Sequence, residues 1–378
     1  MKPLAGVRVL DLSRILAGPL ATMWMADLGA EVIKVERPGN GDETRRWGPP
    51  FVGGESAYFL AVNRGKLGIV LDLAAEKDRE TLRELVRVSD VLVHNFLPET
   101  ASKLGLAYPE LRELNPRLVH VAVAGFPPGP YRDEPGFDAL IQALGGLMAI
   151  TGEGDQPVKV GVAIVDVLTA WAALAGTLAA LLTRERTGDG QAVEATLVEC
   201  SAAALANVSQ AYLLTEEEPA RLGTAHPHIV PYQAFPTKDG LLMVAVGTDA
   251  QFRALCAALG RPDLPADPRF ATNPERVRNR HVLVSLLSHV LQERPRAEWT
   301  AALSAAGVPA GPVNTLQELF GDRGFVGRLL VEVDHPSVGR YTSVGSPLPQ
   351  AWPPSPLPPP RLGEHTAEVL ARLGIARG

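Results

Sequence analysis

The chain has 378 residues, 46% of them hydrophobic and 21% charged, with a net charge of −6. A single core rarely grows beyond about 250–300 residues, so two or more units are expected. The acidic balance argues against a general nucleic-acid binder, which needs a basic surface to meet phosphates, although it leaves room for a local basic pocket.

The N-terminal stretch "MKPLAGVRVLDLS" turns polar too soon for a signal peptide. "VRVLDLS" reads as a strand, "GPLATMWMADLGA" as a helix, and "EVIKVER" and "LGIVLDL" as further strands. "EKDRETLRELVRVSD" is an amphipathic helix with Leu82, Leu85 and Val86 on one face. "VLVHNF" and "LVHVAVAGF" follow as strands, separated by the helical "LRELNP". Strands alternating with helices imply a parallel α/β sheet with crossovers. "GFDALIQALGGLMAITG" is helical, "QAVEATLVE" alternates as a strand, and "CSAAALANVSQAYLLT" resumes helix. A large domain over 1–215, a smaller α+β domain over 225–315 and a strap with a final helix over 316–378 are expected. The strap is marked by "PPSPLPPP" and the helix by "GEHTAEVLARLG". Cys200 and Cys256 show no metal-ligand spacing with histidine, which fits a reduced, cytoplasmic protein without structural disulfide or zinc.

Asp166 is the only charge in "VGVAIVDVLTAWAALAGTLAALL". Residues 160–165 read as extended and 167–182 as an Ala/Leu-rich helix, placing the carboxylate at a helix start. There it is either a plain N-cap or an ionised nucleophile, because unpaired N–H groups and the helix dipole favour the charged form. The apolar run falls short of the ~18–20 residues that span a bilayer, so a buried helix of a soluble protein is expected.

No GxGxxG, Walker A or GxSxG motif is present, and Glu36 is followed by Arg37 and Pro38, which disfavours a nicotinamide dehydrogenase. Basic and amide groups recur just beyond the ends of the early strands: Arg14, Arg37, Arg64 with Lys66, Asn95 and Lys103. The C-terminal ends of parallel strands share the usual ligand edge. Cations there suit a ligand with several phosphates or are solvated surface charges. His94 and His120 lie in or beside apolar strands and read as structural.

The signposts "LAGVRVLDLSRILAGPLATMWMADLGAEVIKVERPGNGDETRRWGPPF", "VNRGKLGIVLDL", "DVLVHNFLPETASKLGL", "GFDALIQALGGLM", "GVAIVDVLTA", "AGVPAGPVNT" and "PPPRLGEHTAEVL" occur in order over nearly the whole chain. In these the chain resembles the family III CoA-transferases, which include formyl-CoA transferase, the carnitine CoA-transferases and the α-methylacyl-CoA racemases. "GTAHPHIVPYQAF" is most similar to the branch of succinate–hydroxymethylglutarate CoA-transferase.

The resemblance implies a Rossmann-like large domain, a smaller domain and two chains interlocked as a homodimer. It implies an acyl-CoA:carboxylate CoA-transferase with coenzyme A as substrate, no tightly bound cofactor and no metal. Asp166 would be the nucleophile, passing through mixed anhydrides and an aspartyl-CoA thioester. Backbone N–H groups in the first turn of its helix and around Gly223 to Ala225 would stabilise the oxyanions. Ile15, Leu16, Arg37, Lys66, Asn95, Phe96 and Lys103 match CoA-binding positions. Glutamine stands in formyl-CoA transferase where this chain has Leu16, so that enzyme's small-acid chemistry is not carried over. Arg45 with its neighbours Arg46 and Trp47, Tyr58, Phe137, Asp138, His226 and His228 are candidates for the acyl and acceptor pocket. The racemases use a histidine where this chain has Phe137, which favours transfer over racemisation. An epimerase and a CoA-binding protein without catalysis are the competing readings.

Overall fold

The computed structural model describes residues 1–348 and 352–376. The chain divides into two compact units. The first holds 1–148, 159–216 and 327–378, and the second holds 149–158 and 217–326.

The first unit is built on six parallel strands: β1 (Arg8–Asp11), β2 (Glu31–Glu36), β3 (Lys66–Val70), β4 (Val91–His94), β5 (Val119–Ala124) and β6 (Ala192–Thr196). Their order is β6-β5-β4-β1-β2-β3. The chain therefore reverses direction across the sheet between β1 and β4, the switch point at which doubly wound sheets bind ligands. Strands β1, β2 and β4 are buried on both faces because both faces are covered. Val9, Val32, Val91 and Val93 pack with helices α1 (Ala17–Asp27) and, later in the chain, Ile164–Thr187. Leu10, Ile33 and Leu92 pack on the other side with α2 (Glu76–Arg87), where Leu82, Leu85 and Val86 form the buried stripe read from the sequence.

Three further helices shape the site: α3 (Pro98–Lys103), α4 (Asp138–Leu144) and α5 (Ile164–Thr187). The helical signal after Gly136 covers α4 but breaks at Gly145 and Gly146, and residues 152–157 form a short hairpin that bridges to Leu222 in the second unit. The extended stretch expected over 160–165 forms no strand, and α5 begins within it at Ile164. By length and composition α5 could cross a membrane, yet its inner face is packed against α1, with Trp24 and Trp171 ring centroids 4.3 Å apart. Helices α6 (Leu197–Ala204) and α7 (Ala206–Thr215) follow β6.

In the second unit β7 (Tyr232–Pro236), β8 (Leu241–Ala245) and β9 (Ala310–Pro312) form an antiparallel sheet. Phe235, Leu242 and Val244 pack there with Phe252, Leu287 and Trp299 from the unit's helices. The chain then re-enters the first unit through a hairpin, Leu330–His335 with Gly339–Val344, that the sequence pattern did not announce. Past it, Asp27 holds the returning strap. Its carboxylate is bidentate to Arg64 at 2.7 and 2.8 Å and also accepts the backbone N–H groups of Ser346 and Ser355.

Candidate active site

At the switch point the loop after β1 is clamped to the loop after β4. Asn95 Oδ1 accepts the Arg14 N–H at 3.0 Å, and Asn95 Nδ2 donates to the Arg14 carbonyl at 2.8 Å. The next residue, Ile15, has φ +73°, a left-handed conformation that is an outlier for a β-branched side chain. Its N–H points between the two carboxylate oxygens of Asp42, 3.3 Å from each. Asp42 is buried and also accepts Lys34 Nζ at 3.0 Å and both donors of Thr44. The Lys34 charge beside it holds the Asp42 carboxyl below its usual range against the opposing effect of burial. A dry ion pair under the loop thus fixes the strained residue above it.

Ile15, Leu16 and Ala17 then lead into α1, which has no side-chain cap. The uncapped N-terminus leaves N–H donors for a ligand or developing oxyanion. Those three residues line a cavity of about 220 Å³ with Asn95, Phe137 and Asp166. Two glycines shape the wall opposite. A Cβ on Gly125 would stand 2.8 Å from the Gly136 Cα, so the loops after β5 and before α4 meet backbone to backbone.

Asp166 is the third residue of α5, not its N-cap, which is Ala163. The cap comes from elsewhere: Asp138 Oδ1 accepts the N–H groups of Val165 at 2.9 Å and Asp166 at 3.4 Å. Gln142 holds the other Asp138 oxygen at 2.7 Å. With the helix-end donors taken, burial and then the Asp138 charge push the Asp166 carboxyl up from 3.8 to about 7. The expectation that the helix start keeps Asp166 ionised is therefore corrected. A carboxylate that is poorly solvated in this way is a stronger nucleophile than one stabilised by helix-end donors. The first-turn N–H groups expected to serve as oxyanion donors are occupied by the same contact. Gly223 and Ala225 N–H are likewise engaged, with Gly152 and Leu222.

Tyr58 lies in the field of Asp166. Burial first, then the carboxylates of Asp166, Asp138 and Asp42, raise its phenol to about 12. Trp47 packs edge-on against it, with centroids 5.2 Å apart. Phe137 is 56% exposed and borders the cavity.

A second cleft of about 250 Å³ shares Arg14 and Phe96 with the first and continues along the strand ends past Arg37, Asp72 and Leu104. The two together offer a path for an elongated ligand, from an end lined by Arg37 together with Glu36, Asp42 and Asp72 to Asp166. Arg37 keeps its expected place there. Lys103 ends α3 on the surface, paired with Glu99 at 2.6 Å.

Lys66 does not belong to this edge. Its backbone opens β3, at the end of the sheet away from the strand C-termini, and its side chain runs inside the protein to Asp11. Its buried ammonium uses all three donors, on Asp11 at 2.9 Å, the Pro19 carbonyl at 2.9 Å and Asn63 at 3.0 Å. Arg45 is likewise committed, doubly bonded to buried Glu36 at 2.8 and 2.6 Å and stacked 3.7 Å from the Phe59 centroid. His226 and His228 belong to the second unit. There His226 stacks on Tyr232 at 5.3 Å, and its Nδ1 accepts the His228 N–H at 3.1 Å. His94 and His120 share an Nε2···Nε2 contact of 3.0 Å under Phe96, and burial lowers both, to about 3 and about 4. Arg132, in the loop after β5, lines the Asp166 cavity and went unnoticed in the sequence. It donates to the Phe126 carbonyl at 2.8 Å and pairs with Glu194. Its position after a strand on the ligand edge was the available signal. Among the described residues no cluster of His, Cys, Asp or Glu is placed to hold a metal ion.

Residues 4–366 match the family described as CoA-transferase family III. Succinyl-CoA:glutarate CoA-transferase of Mus musculus is 43% identical over 98% of this chain and 86% of its own length. Succinate–glutarate CoA-transferase of Agrobacterium fabrum is 42% identical over 98% of this chain and 96% of its own. The crystal structure of a CAIB/BAIF family protein from Brucella suis superposes with a TM-score of 0.87 at 41% identity, covering 98% of this chain and 99% of that one. The chain belongs to CoA-transferase family III, and it is an enzyme that moves CoA between an acyl-CoA thioester and a carboxylic acid.

Proposed function

We propose that Asp166 is the nucleophile and that donor and acceptor are short dicarboxylic acids. The observation that carries this reading is a partly buried carboxylate, with its carboxyl raised to about 7, in a cavity that the uncapped start of α1 also lines.

Asp166 attacks the donor thioester carbonyl, and the C–S bond breaks to give a mixed anhydride and CoA thiolate. The thiolate attacks the aspartyl carbonyl and expels the donor acid, leaving an aspartyl-CoA thioester. The acceptor carboxylate attacks that thioester, releasing the thiolate and forming a second anhydride. The thiolate then attacks the acceptor carbonyl and restores Asp166. Each step exchanges one activated acyl group for another, and the N–H groups at the start of α1 serve the tetrahedral oxyanions. The phenol of Tyr58 stays protonated as a hydrogen-bond donor to the acyl group.

CoA is read along the two clefts, with Arg37 and Lys103 toward its phosphates and Phe96, Ile15 and Leu16 beside its arm. Asn95 acts through the backbone of Arg14, and Asp138 through the first turn of α5. The names of the mouse and Agrobacterium relatives support succinyl-CoA as donor and glutarate as acceptor. Racemisation is disfavoured because no histidine stands among the described residues lining the Asp166 cavity.

We further propose an interlocked homodimer in the reduced cytoplasm. The chain leaves the first unit after residue 216 and returns at 327, and Asp27 and Arg64 latch the returning strap at Ser346 and Ser355. Helix α7 exposes Leu213 and Leu214, an apolar surface that a second copy would cover. Sedimentation at nanomolar concentration tests the link, since a folded monomer would refute it.

The reaction is tested with a panel of acyl-CoA donors and heavy-oxygen-labelled acids. Label from the acceptor carboxylate must pass through Asp166 and emerge in the released donor acid during later turnovers. Transfer with no label in the donor acid would exclude the anhydride route.

A further inference from the structure

Arg14 and Phe96 are the two residues common to the cleft that holds Arg37 and the Asp166 cavity. The Arg14 guanidinium lies 5.2 Å from the Phe96 ring centroid. Its NH1 group donates to Glu43 Oε1 at 3.0 Å, and Arg37 donates to the same oxygen at 3.1 Å. Two cations thus converge on one oxygen of one carboxylate. The other oxygen, Glu43 Oε2, is buried without a partner, and so is Arg14 Nε. A carboxylate that meets two guanidiniums through a single atom leaves donors and acceptors unmatched, and such a contact is easily exchanged.

Neither arginine depends on Glu43 for its place. Both backbone groups of Arg14 are held by Asn95, and its side chain rests on Phe96. Arg37 Nε donates to the Gly41 carbonyl at 3.1 Å. Glu43 therefore contributes charge more than position. Arg14 and Glu43 are 37% and 25% exposed, so the contact is open to a ligand that enters the cleft.

We propose that Glu43 is an internal stand-in for a CoA phosphate. It occupies Arg14 and Arg37 in the free enzyme and gives them up when the phosphate-bearing end of CoA enters the cleft. Arg14 is then a CoA-binding residue at the junction of the two clefts, and Glu43 sets how tightly CoA is held. A family III enzyme must release its acyl-CoA product in each cycle, and an anion that competes for the same cations promotes that release. The inference rests on the reading of these clefts as the CoA site.

The test is calorimetric titration of the wild-type protein, Glu43→Gln, Arg14→Gln and the double variant with CoA and with pantetheine, which lacks the phosphates. Thermal midpoints serve to confirm folding. Removal of one competing exposed carboxylate should tighten CoA about fivefold and leave pantetheine unchanged. Arg14→Gln should weaken CoA, and the gain from Glu43→Gln should shrink in its presence, because the two side chains act on one ligand group. CoA bound equally well or more weakly by Glu43→Gln would overturn the proposal, as would an equal gain for pantetheine. If neither wild type nor Glu43→Gln binds CoA, the reading of the clefts fails, and this inference with it.

Discussion

Asp138 caps the helix that carries Asp166. One carboxylate oxygen receives the N–H groups of Val165 and Asp166, while its negative charge adds to the burial that raises the Asp166 carboxyl to about 7. One residue thus fixes the backbone at Asp166 and weakens the acidity of its carboxyl.

The pH profile follows from this pair. The nucleophile acts as carboxylate, so kcat/KM for the acyl-CoA donor should fall about tenfold per unit below pH 7 and level off above it. Asp138→Asn keeps an oxygen to cap Val165 but removes the charge. Its profile should shift to lower pH, by less than about one unit because burial is the larger cause. A profile flat from pH 5 to 8 in the wild type would contradict the assignment.

Stability has the opposite sign. The folded chain holds the Asp166 proton up to about pH 7, whereas the unfolded chain loses it near 3.8. The stabilising effect of that retained proton is fully present below pH 3.8 and is lost as pH rises through 7. At pH 8 the wild type therefore bears a penalty of up to about 4 kcal/mol, reduced by partial solvation. Asp166→Asn removes the titration. Its thermal midpoint should exceed the wild type's at pH 8, with a much smaller difference at pH 4, and transfer should be abolished.

Lys66 is predicted to matter for folding and not for CoA contact. Lys66→Met leaves Asp11 buried without its partner cation, a loss of about 3–5 kcal/mol. Denaturant melts should show that cost, while CoA affinity of the folded fraction stays within about twofold, as for residues that do not touch the ligand. A large loss of affinity at unchanged stability would return Lys66 to the binding site.

Ile15 carries strain that glycine would relieve. Ile15→Gly removes about 1–2 kcal/mol of left-handed penalty, partly offset by the greater freedom of glycine in the unfolded chain. The thermal midpoint should hold or rise while kcat/KM drops, because the side chain that lines the Asp166 cavity is gone. Lowered stability together with full activity would show that the conformation serves packing alone.

The sheet was legible because short runs rich in β-branched residues alternate along the chain with helical patterns. Arg37 and Asn95 follow β2 and β4 and reach the ligand edge, as their positions implied. Lys66 failed the same test because a basic residue next to a strand signal can stand at either end. It opens β3, and only the register, with Lys66 opposite Val32, places it away from that edge. The capping of α5 by Asp138 spans 28 residues of sequence, and no local pattern announces so distant a donor–acceptor pair. Arg45 looked free because its partner Glu36, at the end of a strand, gave no sign of being buried.

Covalent capture of Asp166 tests the central claim most directly. The protein is mixed with an acyl-CoA donor in the absence of acceptor, quenched in acid and digested for mass spectrometry. A CoA thioester on the peptide containing Asp166, lost on adding acceptor acid and absent in Asp166→Ala, is the predicted result. Undiminished transfer by Asp166→Ala, or a CoA adduct on a different residue, would contradict the account.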